Sequence, residues 1–253
     1  MSRDLHANKD MEHICLFNII KAEGRKAIDT QVAKIILGVT ILLTVAMFAA
    51  NMVLLKNRIN WLDSYSMISG PATTILGIIF ILHVCEEWTK GTAFTTYTFV
   101  PKRNKVLLSK FIVLINWYLG SLVFFLTLSA ISTVVGVKLY KYDISWETSL
   151  SSMVIAVLPL LINMLFAFAL AVAIQETTVV LVLFFVIPPI TVLLAQIPNI
   201  GVYLKWISLE HSSSIFVAGA SETSTSQYIT SVIFWIVVPF IIGVIRNNKR
   251  DVN

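Results

Sequence analysis

Charge is scarce in this chain. Asp, Glu, Lys and Arg make up 13% of its 253 residues and apolar residues 57%, against roughly a quarter and a half in a soluble domain. That balance excludes a water-soluble globule and implies an integral membrane protein. Cysteine is nearly missing too, and Cys15 and Cys85 are too few for a disulfide framework. Phosphate loops of the form GxxxxGK[ST] are absent, so any nucleotide hydrolysis has to be performed by another chain. No internal repeat and no separate soluble domain can be discerned.

The apolar windows hold no Asp, Glu, Lys or Arg at all. Buried charge is costly in a bilayer and is generally kept for function. Its absence at depth therefore argues against an intramembrane catalytic pair, and against a proton- or sodium-coupled carrier with midplane carboxylates. What polarity remains is His83 near one window end and the amides Asn51, Asn116, Asn163, Gln175 and Gln196. His83 and Cys85 stand two residues apart, which points them to different helix faces and gives no metal site. The adjacent Glu86 and Glu87 suggest the glutamate pair of CAAX-type membrane proteases, but that pattern needs an arginine where this chain has Gly91.

Present instead are six apolar stretches, each near the roughly 20 residues of a spanning helix. The sequence predicts an all-α integral membrane protein forming one transmembrane domain over 1–253, with spans at about 35–55, 64–85, 111–137, 149–175, 177–197 and 225–245. Pro188 and Pro189 should kink the fifth span. Residues 11–28 read as an amphipathic interfacial helix with Ile14, Phe17 and Ile20 on its apolar stripe. The first thirty residues lack the apolar core of a cleavable signal, so the first span is expected to direct insertion. Residues 198–224, with Tyr203, Trp206 and Phe216 among serines and threonines, suit an extracellular segment dipping toward the membrane.

Placing both termini in the cytoplasm puts all but five of the 19 Lys and Arg residues inside. The exceptions are Lys56, Arg58, Lys138, Lys141 and Lys205. Such asymmetry is the positive-inside pattern, so the net charge of +5 reports topology and not a nucleic-acid partner. The densest polar stretch, 86–110, then forms a cytoplasmic loop. Glu86 and Glu87 would suit the positive N-terminus of a new short helix. Along that helix Trp88, Thr92, Thr95 and Phe99 form one stripe, and Pro101 ends it. Lys102, Lys105 and Lys110 are expected to meet lipid headgroups. Lipid alone explains the lysines but not the aromatic and threonine stripe, which suits a docking surface for a protein.

The run Glu87, Gly91-Thr92, Thr95, Pro101, Arg103 and Lys110-Phe111 resembles the first cytoplasmic loop of type 2 ATP-binding-cassette permeases. The resemblance extends to the amphipathic N-terminal helix, six spans, the tiny connection between spans four and five, and the dipping segment. It implies a bacterial plasma-membrane exporter subunit for amphipathic or apolar cargo, such as a peptide, an antimicrobial or a lipid-like molecule, with roles in export or immunity. It also implies two separate ATPase subunits that hold ATP and Mg, a second permease copy or sister chain, and no cofactor or enzymatic activity here. Glu86 through Phe99, with Pro101 and Arg103, would seat on an ATPase, and Gln175 and Glu176 would make a smaller contact. A non-transporting scaffold or sensor that recruits a cytoplasmic partner through 86–110 is the alternative.

Overall fold

The computed structural model describes residues 16–54, 61–100, 102–140, 149–195, 197, 203, 206 and 225–249. Among them there is no strand. The helices in chain order are α1 (Leu16–Asp29), α2 (Gln31–Leu54), α3 (Trp61–Thr89), α4 (Ala93–Phe99), α5 (Arg103–Tyr140), α6 (Leu150–Ile174), α7 (Thr177–Ala195), α8 (Thr225–Val232) and α9 (Val238–Lys249). A π-helical turn, Ile233–Val237, joins α8 to α9 in one continuous rod. Five of these rods are long and apolar enough to cross a membrane: α2, α3, α5, α6 and the α8–α9 rod. The chain is thus an all-helical, multi-pass membrane protein. The apolar α7 is shorter and keeps Pro188 and Pro189 within one continuous helix.

Lipid is as apolar as leucine, so helices in a bilayer associate through close packing and interhelical hydrogen bonds. Both devices are visible. α3 is the central element, buried along most of its length against α2, α5, α6 and α7. Where α3 meets α6, Gly77 faces Ala167, with the Phe184 ring filling the third side. Where α9 crosses α6, a Cβ on Gly243 would lie 2.6 Å from the Val172 carbonyl carbon and 2.7 Å from the Ala173 nitrogen. Only a glycine permits that approach. Aromatic rings then tie the outer helices to α6: Phe168 packs on Phe111 and Phe240, and Phe166 on Phe184 and Trp235. Farther along, Asn51 donates to the Ser132 hydroxyl at 2.6 Å and Ser129 to the Trp61 carbonyl at 2.8 Å, linking α2, α5 and α3.

The outer faces of α2, α5, α7 and the α8–α9 rod expose large apolar side chains such as Leu42, Val123, Val182 and Ile242. In a bilayer such faces meet acyl chains. At 38 residues, α5 is about 57 Å long by its rise per residue, well beyond a hydrocarbon core of about 30 Å. Its excess lies at the end where α1, α3, α4 and α9 also converge, hereafter the basic end.

The amphipathic stripe differs from the sequence expectation. α1 buries Ile19, Glu23 and Ala27, while Phe17 is 68% exposed and Ile20 packs only partly on the core. Ile14 lies outside the described residues, as do residues 11–13, Cys15, Pro101 and nearly all of 198–224. The helix is turned so that an acid, and not a phenylalanine, faces inward.

The crossing at Gly243 yields a direct expectation. Gly243→Ala forces backbone against backbone and should cost about 1–3 kcal/mol in detergent unfolding. Gly38→Ala, where a Cβ meets nothing within 4 Å, should be neutral or stabilising by up to about 1 kcal/mol. Equal effects of the two would show that α6 and α9 do not approach so closely.

Candidate functional site: a charged joint beneath a short exposed helix

The stretch read as a loop over 86–110 is almost wholly helical. Residues through Thr89 complete α3, α4 occupies Ala93–Phe99, and α5 begins at Arg103. Glu86 and Glu87 therefore lie in the last turn of α3 and not at the start of a new helix. A helix C-terminus repels carboxylates, and the reason these two are tolerated is local. Glu86 pairs with Lys90 one turn on. Glu87 is buried and bound by three groups: Lys26 Nζ at 2.8 Å, the Thr96 hydroxyl at 2.9 Å and Lys110 Nζ at 3.3 Å.

Those cations also serve a second acid. Glu23 of α1 accepts from Lys26 at 2.8 Å and pairs with Lys110 at 2.8 Å. Two carboxylates and two ammonium groups thus form a closed, neutral four-member cluster joining α1, α3 and α5, with Thr96 bringing in α4. Glu23, Glu87 and Lys110 are all at least nine-tenths buried. Such groups stay charged only when each has a partner. Lys110, expected at the headgroups, is instead the interior cation of this joint. Lys102 is exposed and Lys105 half-buried. His83 borders the cluster, with Nε2 3.5 Å from Glu23 Oε2, and Lys110 donates to its carbonyl at 3.3 Å. Lys26 is half-exposed; its partial burial is outweighed by Glu87 and then Glu23, which hold its amine above its ordinary pKa.

α4 has seven residues, too few to be stable alone. Its inward face is clamped twice. Thr96 holds Glu87, and Tyr97 donates to the Asn247 side-chain oxygen at 3.0 Å. Burial, and then the charge of Glu87, pushes the Tyr97 phenol up to about 12, so it remains a neutral donor. Arg103 stacks on the Tyr97 ring at 5.2 Å and donates to the Asn247 carbonyl at 2.7 Å, while the Trp88 ring packs tilted against Tyr97 at 6.0 Å. Beneath them lies a cavity of about 20 Å³ lined by Glu87, Trp88, Tyr97, Lys110, Gln175 and Asn247, room for one water.

Among the described residues, nothing covers the outward face of α4. Phe94 is 61% and Phe99 64% exposed, with Thr92, Thr95 and Thr98 beside them. Thr92, Thr95 and Phe99 of the expected stripe lie here, but its first member does not: Trp88 belongs to α3 and packs on Tyr97, because the chain turns at Lys90 to Thr92. Gly91 makes the turn with φ +68, a conformation costly for a residue with a Cβ. A Cβ there would meet nothing within 4 Å, so the glycine answers a backbone requirement and not a close approach. Across the end of the bundle, Gln175 caps α6 in the left-handed conformation and is buried, leaving Glu176 as the exposed member of that turn. Thr89 and Thr177 hydroxyls meet at 2.9 Å and bind the two turns together. Arg246 donates to the Ala173 carbonyl at 3.0 Å.

Sequence reasoning selected Glu87, Arg103 and Lys110 but missed Glu23, Lys26, Thr96, Tyr97, Asn247 and the outward Phe94. A legible signal existed for Glu23: it stands four residues from Ile19 and from Ala27, an acid inside a stripe of apolar and small residues. Among the described residues no group of three His, Cys, Asp or Glu side chains is placed to hold a metal. No family model and no curated protein matches the chain. Chemically, the carboxylates Glu23 and Glu87 and the Lys110 ammonium of the joint are buried and paired with one another and with Lys26. What the site offers is a rigid, partly apolar knob whose underside is locked to three long helices.

Glu87→Gln preserves shape but leaves two cations sharing one acid, and should destabilise the protein in detergent by about 3–5 kcal/mol. Glu86→Gln removes only a surface pair, and should cost under about 1 kcal/mol. Thermal unfolding of the two variants checks this, and equal losses would contradict the charged joint.

Proposed function

We propose that this chain is the membrane-spanning permease subunit of an ATP-driven exporter of the type 2 ATP-binding-cassette kind. The observation that carries the reading is α4. It is a short helix with exposed Phe94 and Phe99, outside the apolar bundle, with an inner face fixed to α3, α5 and α9. Such a knob suits a groove on a soluble ATPase. A push on it is delivered to long helices and not absorbed by a floppy loop, and Glu176 stands ready for a smaller second contact. ATP and Mg belong to two partner ATPases, whose closure shifts two permeases, identical or sister chains, between states of different cargo affinity.

Six crossings are part of the proposal. α7, at 19 residues, spans about 28 Å and serves as the fifth. Six crossings return the chain to its starting side, in keeping with Lys26 of α1 and Asn247 of α9 bonding at the same basic end. That end faces the cytoplasm of a bacterial cell by the excess of Lys and Arg. Cargo is amphipathic or apolar, since the spans offer no charged path for a hydrophilic solute.

The test is purification of the tagged full-length chain from its own host membrane. An ATPase subunit should accompany it, and Phe94→Ser with Phe99→Ser should weaken that association about 30-fold, as loss of central aromatic contacts does. Lys102→Gln with Lys105→Gln should leave it nearly unchanged. A chain that purifies without an ATPase, or a complex indifferent to the phenylalanines, would overturn the reading.

A further inference from the structure

A second feature lies within the membrane and does not depend on the exporter reading. Between α2, α3 and α5 runs an open groove of about 390 Å³, walled by Leu37, Ile41, Leu76, Trp117 and Phe124. Its neighbouring hydroxyls are already engaged by their own helices: Thr40, Thr44 and Ser121 each donate to a backbone carbonyl three or four residues back. Asn116 is different. Its exposed amide lines the groove at the edge nearest the basic end and makes no hydrogen bond among the described residues. An amide facing hydrocarbon without a partner is unfavourable, since each unmet polar group costs free energy in lipid. One turn farther on, Gly120 leaves the wall open, with nothing within 4 Å of where its Cβ would stand.

Beyond the groove's lining, on the side of the basic end, α2 carries a charge. Lys34 is exposed on α2, one turn toward the basic end from Leu37, and its ammonium has no partner among the described residues. From the basic end inward, the order is a cation just outside the lining, an unmet amide, then a largely apolar trough whose hydroxyls are already engaged. That order is the order of an anionic phospholipid: phosphate, ester carbonyls, acyl chain. We propose that this groove seats one anionic phospholipid, with the phosphate on Lys34, a glycerol-ester carbonyl accepting from Asn116, and a chain lying against Leu76 and Phe124. A second copy of this chain fits less well, because a two-fold contact across the groove would bring Lys34 toward its own mate.

Native mass spectrometry of the full-length protein, released from micelles doped with phosphatidylglycerol or phosphatidylcholine, tests this. One phosphatidylglycerol per chain should be retained in preference to phosphatidylcholine. Lys34→Gln should weaken retention roughly fivefold, as one headgroup lysine does, and Lys34→Arg should restore it. Asn116→Leu should lower the retention of both lipids, and Gly120→Leu should abolish it by filling the trough. Lys102→Gln with Lys105→Gln is the control for loose surface attraction and should change nothing. Equal retention of the two lipids, or loss in the control but not in Lys34→Gln, would overturn the proposal. So would a Gly120→Leu variant that changes oligomeric state while lipid retention stays the same, since the groove would then be an interface between copies.

Discussion

Two acids held between two lysines govern the basic end of this protein. Each of Glu23, Glu87, Lys26 and Lys110 contacts both members of opposite sign, so none can be removed without stranding another. In a bilayer protein this is a demanding arrangement, because desolvation penalises every charge and only complete pairing offsets it. Demand becomes specificity. α1 cannot rotate or slide along α5 without separating Glu23 from Lys110, and α4 cannot lift without freeing Glu87 from Thr96. Hydrocarbon contacts between apolar helices tolerate small slips; this joint does not.

The same end also gathers four helix C-termini, those of α1, α3, α6 and α9. Their last carbonyls lack intrahelical donors and carry partial negative charge. Arg246 answers at Ala173 and Arg103 at Asn247. The basic residues that mark this side of the chain thus have structural work beyond membrane orientation. Interior cations and surface cations are intermixed along the sequence, which is why counting them gives the sidedness but not the role of any one.

Much of the fold was legible because apolar runs near 20 residues have few alternatives. The all-helical membrane class and the apolar windows that fall in α2, α3, α5 and α6 follow from length and pattern, whereas the short helix expected from Glu86 starts only at Ala93. The errors arose where charge met helix termini. Local dipole rules placed Glu86 and Glu87 at the start of a helix, and those rules were overridden by Lys26, 61 residues away, and by Lys110. Lys110 was read as a headgroup anchor because a lysine at a span boundary usually snorkels; nothing local announces two acids waiting within. Phe94 was missed for the converse reason: the turn at Gly91 resets the helical phase, so of the stripe counted from Trp88 the residues Thr92, Thr95 and Phe99 are exposed, while Trp88 drops out and Phe94 joins them. Gln175 looked like the tip of a turn, yet its left-handed conformation folds it inward as a cap.

If the joint transmits force between the exposed helix and the long ones, its members must be energetically coupled and not merely adjacent. The most direct measurement is a double-mutant cycle on Glu23 and Lys110, whose charges meet at 2.8 Å across α1 and α5. Unfolding free energies in one detergent are compared for Glu23→Gln, Lys110→Met and the double variant. A buried, mutually dependent pair predicts that the double variant is more stable than the sum of the single losses implies, by about 1–3 kcal/mol. Additive losses, within about 0.5 kcal/mol, would contradict it, leaving α1 as a helix that rests against the bundle without being part of its mechanism.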